Sequence, residues 1–257
     1  MEFPSIIERY EYKYLIPERL VPAVRAAAKT TCRLDEHAKA GGSYAIRSLY
    51  LDTDRYQLYW ANERQQRDRF KARIRTYPGK PAPIFFEVKR RVGDVIIKTR
   101  AAVPEPLWKQ ALADPAKVSL PPHAKKGLER FYMLAQTYHL RPRVLVEYDR
   151  EAYVSVVDNY ARLTFDRRVV CQARDTLDFD ANPAHWRAVD HPVKTRTPEA
   201  VCVLELKFER VAPRWMVDLV KRLELVRLSF SKYCYSVDAQ LLLPMTRESR
   251  FAGGSRT

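Results

Sequence analysis

Four cations alternate along residues 69–75, as Arg69, Lys71, Arg73 and Arg75, with Phe70, Ala72 and Ile74 between them. Period two puts the four on one face of a strand. Neighbouring like charges repel there, so the pattern calls for an anion to offset them. Arginine grips phosphate oxygens in bidentate fashion and keeps its charge, while lysine acts as a compact point charge. The chemistry these residue types support is therefore the binding of phosphates and the stabilisation of charge during phosphoryl transfer.

Other segments repeat the arrangement. Arg9, Glu11 and Lys13 share a face over 8–16, opposite Tyr10, Tyr12 and Tyr14. Glu87, Lys89 and Arg91 share one over 84–91, and 94–100 add Lys98 and Arg100. Arg143 and Arg150 lie in 143–153, and Arg162 in 160–166. Glu205 and Lys207 stand opposite Cys202, Leu204, Leu206 and Phe208 in 201–209. For any single strand, a charged face in water would explain the alternation. A face of four cations without an acid is a different case.

Composition narrows the partners. The 257 residues carry 46 Lys+Arg against 31 Asp+Glu, a formal charge of +15, which points to a polyanion. Only 7 glycines are present, and the one Gly-Lys step, Gly79-Lys80, lacks the rest of a phosphate-cradling loop. Phosphate must then be held by side chains. Cys32, Cys171, Cys202 and Cys234 form no CxxC pair and the 5 histidines no HxxxH, which excludes the usual zinc sites and suggests reduced thiols. Basic residues interleaved on strands, without a finger, an RNP motif or a helix-turn-helix, predict no specific nucleic-acid partner. No apolar run is long enough to span a membrane, and the N-terminus lacks a secretory h-region, so a cytoplasmic location is expected.

These faces need elements to aim them. Helical patterning occurs over 17–30, 53–65, 106–112, 122–140, 213–224 and 231–243, with Ser231 as a cap and Asp52 or Thr53 starting the second helix. The expected fold is α+β: an eight-stranded antiparallel β-barrel tunnel with helices packed outside, which turns the charged faces into the lumen. One domain over 1–245 and a flexible basic tail over 246–257 are expected. On this reading Arg9, Lys13 and Lys71 line the lumen.

The ordered series RYEYKY (9–14), SLYLDT (48–53), FKARIRTY (70–77), FFEVKRR (85–91), IIKTR (96–100), ARLTFD (161–166), VLELKFE (203–209) and FSKY (230–233) resembles the polyphosphate polymerase domain of the vacuolar transporter chaperone family. That family falls within the CYTH superfamily of triphosphate tunnel enzymes. The resemblance implies a metal-dependent transfer of the terminal phosphate of ATP to polyphosphate, with Mn²⁺ or Mg²⁺. It implies catalytic roles for Arg73, Arg75, Lys89 and Lys232. It also implies phosphate contacts from Lys13, Lys98, Arg143, Arg162 and Lys207, and metal binding by Glu205. Glu11 and Glu87 would orient Lys13 and Lys89. Hydrolytic relatives begin with ExExK, whereas here Arg9 replaces the first acid. That departure favours the polymerase. A triphosphatase on the same tunnel and a non-catalytic polyanion-binding module are the alternatives.

Overall fold

The computed structural model describes residues 9–38, 42–79, 82–93, 95–158, 160–190, 195–197 and 199–241. The expected tail over 246–257 lies outside them.

Ten strands form one antiparallel sheet. They are β1 (Arg9–Pro17), β2 (Cys32–Leu34), β3 (Tyr44–Asp52), β4 (Asp68–Thr76), β5 (Ile84–Val92), β6 (Val95–Val103), β7 (Arg141–Ser155), β8 (Ala161–Ala173), β9 (Arg187–Ala188) and β10 (Val201–Glu209). Eight of them run in the order β1-β10-β8-β7-β3-β4-β5-β6, while β2 pairs with β7 and β9 with β8. The expected α+β class and eight-strand path hold. The sheet is not closed, however: among the described residues no hydrogen-bonded ladder joins β1 to β6. It curls, so that side chains of β1 and β5 meet across a trough.

The helices are α1 (Val21–Lys29), α2 (Gln57–Glu63), α3 (Trp108–Ala113), α4 (Pro122–Thr137), α5 (Arg214–Arg222) and α6 (Lys232–Leu241). Two cores lie on the convex side, as expected from the apolar strand faces. Phe70, Ala72, Ile74, Phe86, Val88 and Ala101 pack under α3 and α4. Gly127 lets α4 rest on β6, because a Cβ there would lie 2.8 Å from the Arg100 carbonyl oxygen. Tyr14, Ile16, Leu163, Phe165, Leu204 and Leu206 pack under α1 and α5.

The third core departs from the expectation of helices outside. Tyr50, Val144, Val146 and Tyr148, on the same strand faces as the charged residues, pack with Phe230, Tyr233, Cys234 and Val237 of and before α6. A register shift between β7 and β8 at Glu147/Asp149, with Arg168 at φ 51°, moves Val169 and Cys171 onto that face. α6 therefore sits inside the curl and closes one part of the trough. Its apolar face pays for the burial that brings Lys232 to the charged residues.

The strand Tyr44–Asp52 was not legible as an alternating segment, because its residues are apolar or buried on both faces. Asp52 starts α2 as expected, accepting from Thr53 N, Leu58 N and Tyr59 N.

Candidate phosphate-binding trough

The antiparallel register builds the site in rows. Tyr50, Arg73, Glu87 and Arg100 lie side by side on β3, β4, β5 and β6. Lys71, Lys89 and Lys98 form the next row, and Arg69 and Arg91 the one beyond. On β1, β10 and β8 the rows are Glu11, Lys207 and Arg162, then Lys13, Glu205 and Thr164.

Glu87 is buried, 3% exposed, in the middle of the first row. Its Oε2 accepts from Arg73 Nε at 2.7 Å and lies 3.7 Å from Arg75 Nη1. Its Oε1 faces Arg100 at 3.4 Å and Lys98 at 3.6 Å. Burial pushes the Glu87 carboxyl up, but Arg73, Arg75 and Lys98 outweigh it and hold the group well below the carboxylate range. Glu87 thus organises the two arginines and Lys98, where the sequence suggested Lys89. Tyr50 Oη accepts from Arg73 Nη1 at 2.9 Å, and Arg75 donates to Ser48 Oγ at 3.3 Å.

Glu205, 4% exposed, is the counterpart across the trough. Lys207 lies 3.0 Å from it, Lys232 3.4 Å, and Lys13 and Arg150 3.5 Å each. Burial opposes its charge, but these four cations keep it ionised. Asp166 accepts from Arg150 at 2.6 and 2.7 Å and also from Lys232. Lys232 is only 7% exposed, and despite its burial Asp166 and Glu205 raise its pKa. Its ammonium also lies 4.7 Å from the Tyr148 ring centre.

Two contacts bridge the curl. Lys89 Nζ lies 3.6 Å from Glu11 Oε2. Lys71 Nζ donates to Ser231 Oγ at 2.9 Å, while Ser231 Oγ accepts from Cys234 N as the expected cap of α6. Among the described residues no acid hydrogen-bonds Lys71. Burial, helped by the charges of Lys13 and Lys89, drops its pKa to about 8.

The structure gathers Lys13, Lys71, Arg73, Arg75, Lys89, Lys98, Lys207 and Lys232 on one concave face. Arg162 is exposed at the rim beside Lys207 and over the Tyr160 ring. Only the backbone of Arg9 is described, at the start of β1. Arg143 is a correction. It stands seven residues from Arg150, on the opposite face of β7, and turns outward to the Thr53 carbonyl, Asp54 and the Tyr56 ring. Arg100 and Arg150, read in the sequence as charged strand residues without a site role, join the site, as do Asp166 and Tyr148, which were given none. The signal was parity: Asp166 shares it with Arg162, and Arg150 meets Asp166 in register.

A divalent ion can be tested against this donor set. Among the described residues no three His, Cys, Asp or Glu side chains form a metal-binding group. Glu205 and Glu11 flank Lys13, and both are already ion-paired. An ion here meets cations unless phosphate oxygens arrive with it. One or two carboxylates plus substrate phosphates is the set that magnesium-like ions commonly use. The residues therefore fit a divalent ion that enters with a phosphate chain.

No curated protein sequence matches the chain. Solved structures with a similar course include a candidate adenylate cyclase from Bacillus halodurans, 13% identical, covering 86% of this chain and 92% of its own, at a TM-score of 0.47. A second, from Vibrio parahaemolyticus, is 11% identical over 88% and 96%, at 0.44. A protein from Pyrococcus horikoshii is 10% identical over 84% and 86%, at 0.39. Likeness this distant says nothing of activity. The VTC domain family matches residues 8–241, from just before β1 to the end of α6. The chain belongs to the VTC domain family.

Proposed function

We propose that the trough binds ATP and inorganic polyphosphate and transfers the terminal phosphate of ATP to the end of the polyphosphate chain. Family membership supports an enzyme that handles triphosphates. The observation that carries the finer reading is the row Lys71, Lys89 and Lys98 beside Arg73 and Arg75, against few acids that are each already paired.

In this reading Arg73 and Arg75, held by Glu87, Tyr50 and Ser48, present fixed guanidinium groups to the transferring phosphate. Lys232 and Lys13, held by Asp166 and Glu205, place point charges on the far side. Such preorganised charge stabilises the equatorial oxygens as negative charge spreads in the loose transition state. The terminal oxyanion of the chain attacks phosphorus, a new P–O bond forms, the bond to the β-phosphate breaks and ADP leaves. No proton has to be removed, so the step needs no carboxylate base. Glu205, with Glu11, would hold Mn²⁺ or Mg²⁺ carried in by the phosphates, which would add Lewis-acid stabilisation.

Incubation of the purified protein with ATP and Mn²⁺ tests this. Long anionic polymer with ADP is expected. Orthophosphate released from tripolyphosphate without polymer would instead identify a triphosphatase, and binding without turnover a polyanion-binding module.

A further inference from the structure

The two edges of the sheet are treated differently. At β1, the segment leading into α6 lies along the edge: Leu228 N donates to the Lys13 carbonyl at 2.9 Å, and Arg227 bridges to Tyr14. At the other edge, α4 covers the second half of β6, where Gly127 rests on the Arg100 carbonyl. Residues 95–99 have no strand partner beyond β5 among the described residues. Val95 and Ile97 on the convex face are 61% and 40% exposed, and Ile96 on the trough face 47%. This end of the hairpin therefore stands clear on both faces. An edge strand of bare aliphatics invites another strand, and proteins ordinarily blunt it with charge or proline. We infer that the start of β6 pairs antiparallel with the start of β6 in a second copy of this chain, about a two-fold axis at Ile96.

Three observations carry it. First, the backbone is turned outward where a partner needs it. Val92 pairs with Val95 across a two-residue turn, so Val95, Ile97 and Thr99 direct their N–H and C=O groups to β5. Those of Ile96 and Lys98 point away from the sheet, as does the Arg100 carbonyl that meets α4. Second, the stretch is complementary to itself. Residues 94–98 read Asp-Val-Ile-Ile-Lys. With Ile96 opposite Ile96, Val95 faces Ile97 twice on the convex side, and Lys98 faces position 94 on the other. Asp94 lies outside the described residues and enters by its place in the sequence alone. A register centred on Ile97 would set Ile96 against Lys98 and lose the ion pair, and one centred on Lys98 would oppose like charges.

Third, the other edge offers a second copy less. Joining β6 to the β1 edge of a neighbour is a heterologous contact that grows into open chains, and Leu228 already takes up part of that edge. The two-fold pair closes on itself. A five-residue ladder with three aliphatic side chains from each copy falls well short of the roughly 800 Å² per partner of a lasting dimer. The association is therefore weak and reversible, with a Kd on the order of 10–100 µM. It does not depend on what the trough binds.

Sedimentation equilibrium of the full chain, from about 1 to 200 µM, tests the inference and should show a reversible monomer–dimer equilibrium. Ile97→Lys should weaken the association by about tenfold or more. Ile96→Pro removes an N–H that points away from its own sheet, so it should abolish the dimer while the melting temperature stays near that of wild type. Asp94→Lys should weaken the dimer as well, most strongly at low salt, where the like charges at 94 and 98 are least screened. The three substitutions act at separate positions, so a variant that folds poorly leaves two to decide. A monomer at every concentration, a dimer unmoved by Ile97→Lys and Ile96→Pro, or assemblies that keep growing with concentration would overturn the two-fold pair.

Discussion

Lys89 of β5 reaches Glu11 of β1 across the trough, Nζ to Oε2 at 3.6 Å, although the two strands lie at nearly opposite ends of the sheet order. The sheet thus curls by meeting through side chains rather than by closing a ladder. Charge pairing across open space leaves room for a ligand that a hydrogen-bonded seam would not.

Arg73 illustrates how tightly folding and chemistry are tied here. Arg73→Ala would remove the shortest hydrogen bond to buried Glu87 and leave it with Arg75, Arg100 and Lys98, a loss of about 1–3 kcal/mol. Adding Glu87→Gln should restore much of the melting temperature while turnover stays about 10²-fold down. Thermal melts and initial rates on both variants check this. Full turnover in the folded double variant would remove Arg73 from the transition state.

Lys71 gives a signed pH dependence. With its pKa at about 8, it loses charge as pH rises through that value, and phosphate affinity should weaken. Between about 8 and the ordinary 10.5, the unfolded chain keeps a proton that the folded chain has shed, so on Lys71's account stability rises with pH. Tripolyphosphate binding and unlabelled thermal melts should therefore move in opposite directions there. Lys71→Arg should shift the loss of binding to higher pH, and an unchanged profile would count against Lys71 as a phosphate contact.

Asp52 is placed to act on the trough at a distance. It accepts from Tyr233 Oη as well as from the start of α2, while Tyr59 Oη donates to Asp238 at 2.5 Å. These bonds hold α6, and so Lys232, in position. Asp52→Asn should cost about 1–3 kcal/mol of stability. It should lower kcat more than it raises KM, because Lys232 would be misplaced rather than missing. Tyr233→Phe should do the same more mildly. A change in KM alone would make the clamp merely structural.

Glu205→Gln removes the negative charge shared by Lys13, Lys207, Lys232 and Arg150. Metal titrations of turnover should shift to higher concentration. Added tripolyphosphate should raise the melting temperature more than in wild type, since the freed cations gain a partner. An unchanged metal titration would exclude Glu205 as a ligand.

How much of this was written plainly in the sequence depends on the residue. Alternation over 69–75 and 203–209 was readable because a half-buried strand must sort charge from hydrocarbon at period two. Tyr44–Asp52 was hidden because both its faces are covered, which erases the alternation. The face of Arg143 could have been read from its odd spacing to Arg150. α6 was legible as a helix but not as an inner one: Tyr233 and Val237 look like any core residues, and only the β8 shift near Arg168 shows which side of the sheet receives them. Glu87 among arginines needed the β4–β5 register, which no single strand reveals.

Calorimetry with tripolyphosphate and orthophosphate tests the shared premise most directly. The arrangement of cations in rows predicts one tripolyphosphate per chain, bound about 10²-fold or more tighter than orthophosphate, because linked phosphates engage several rows at once. Equal affinities for the two, or several weak sites of similar strength, would contradict a single trough built for chained phosphate.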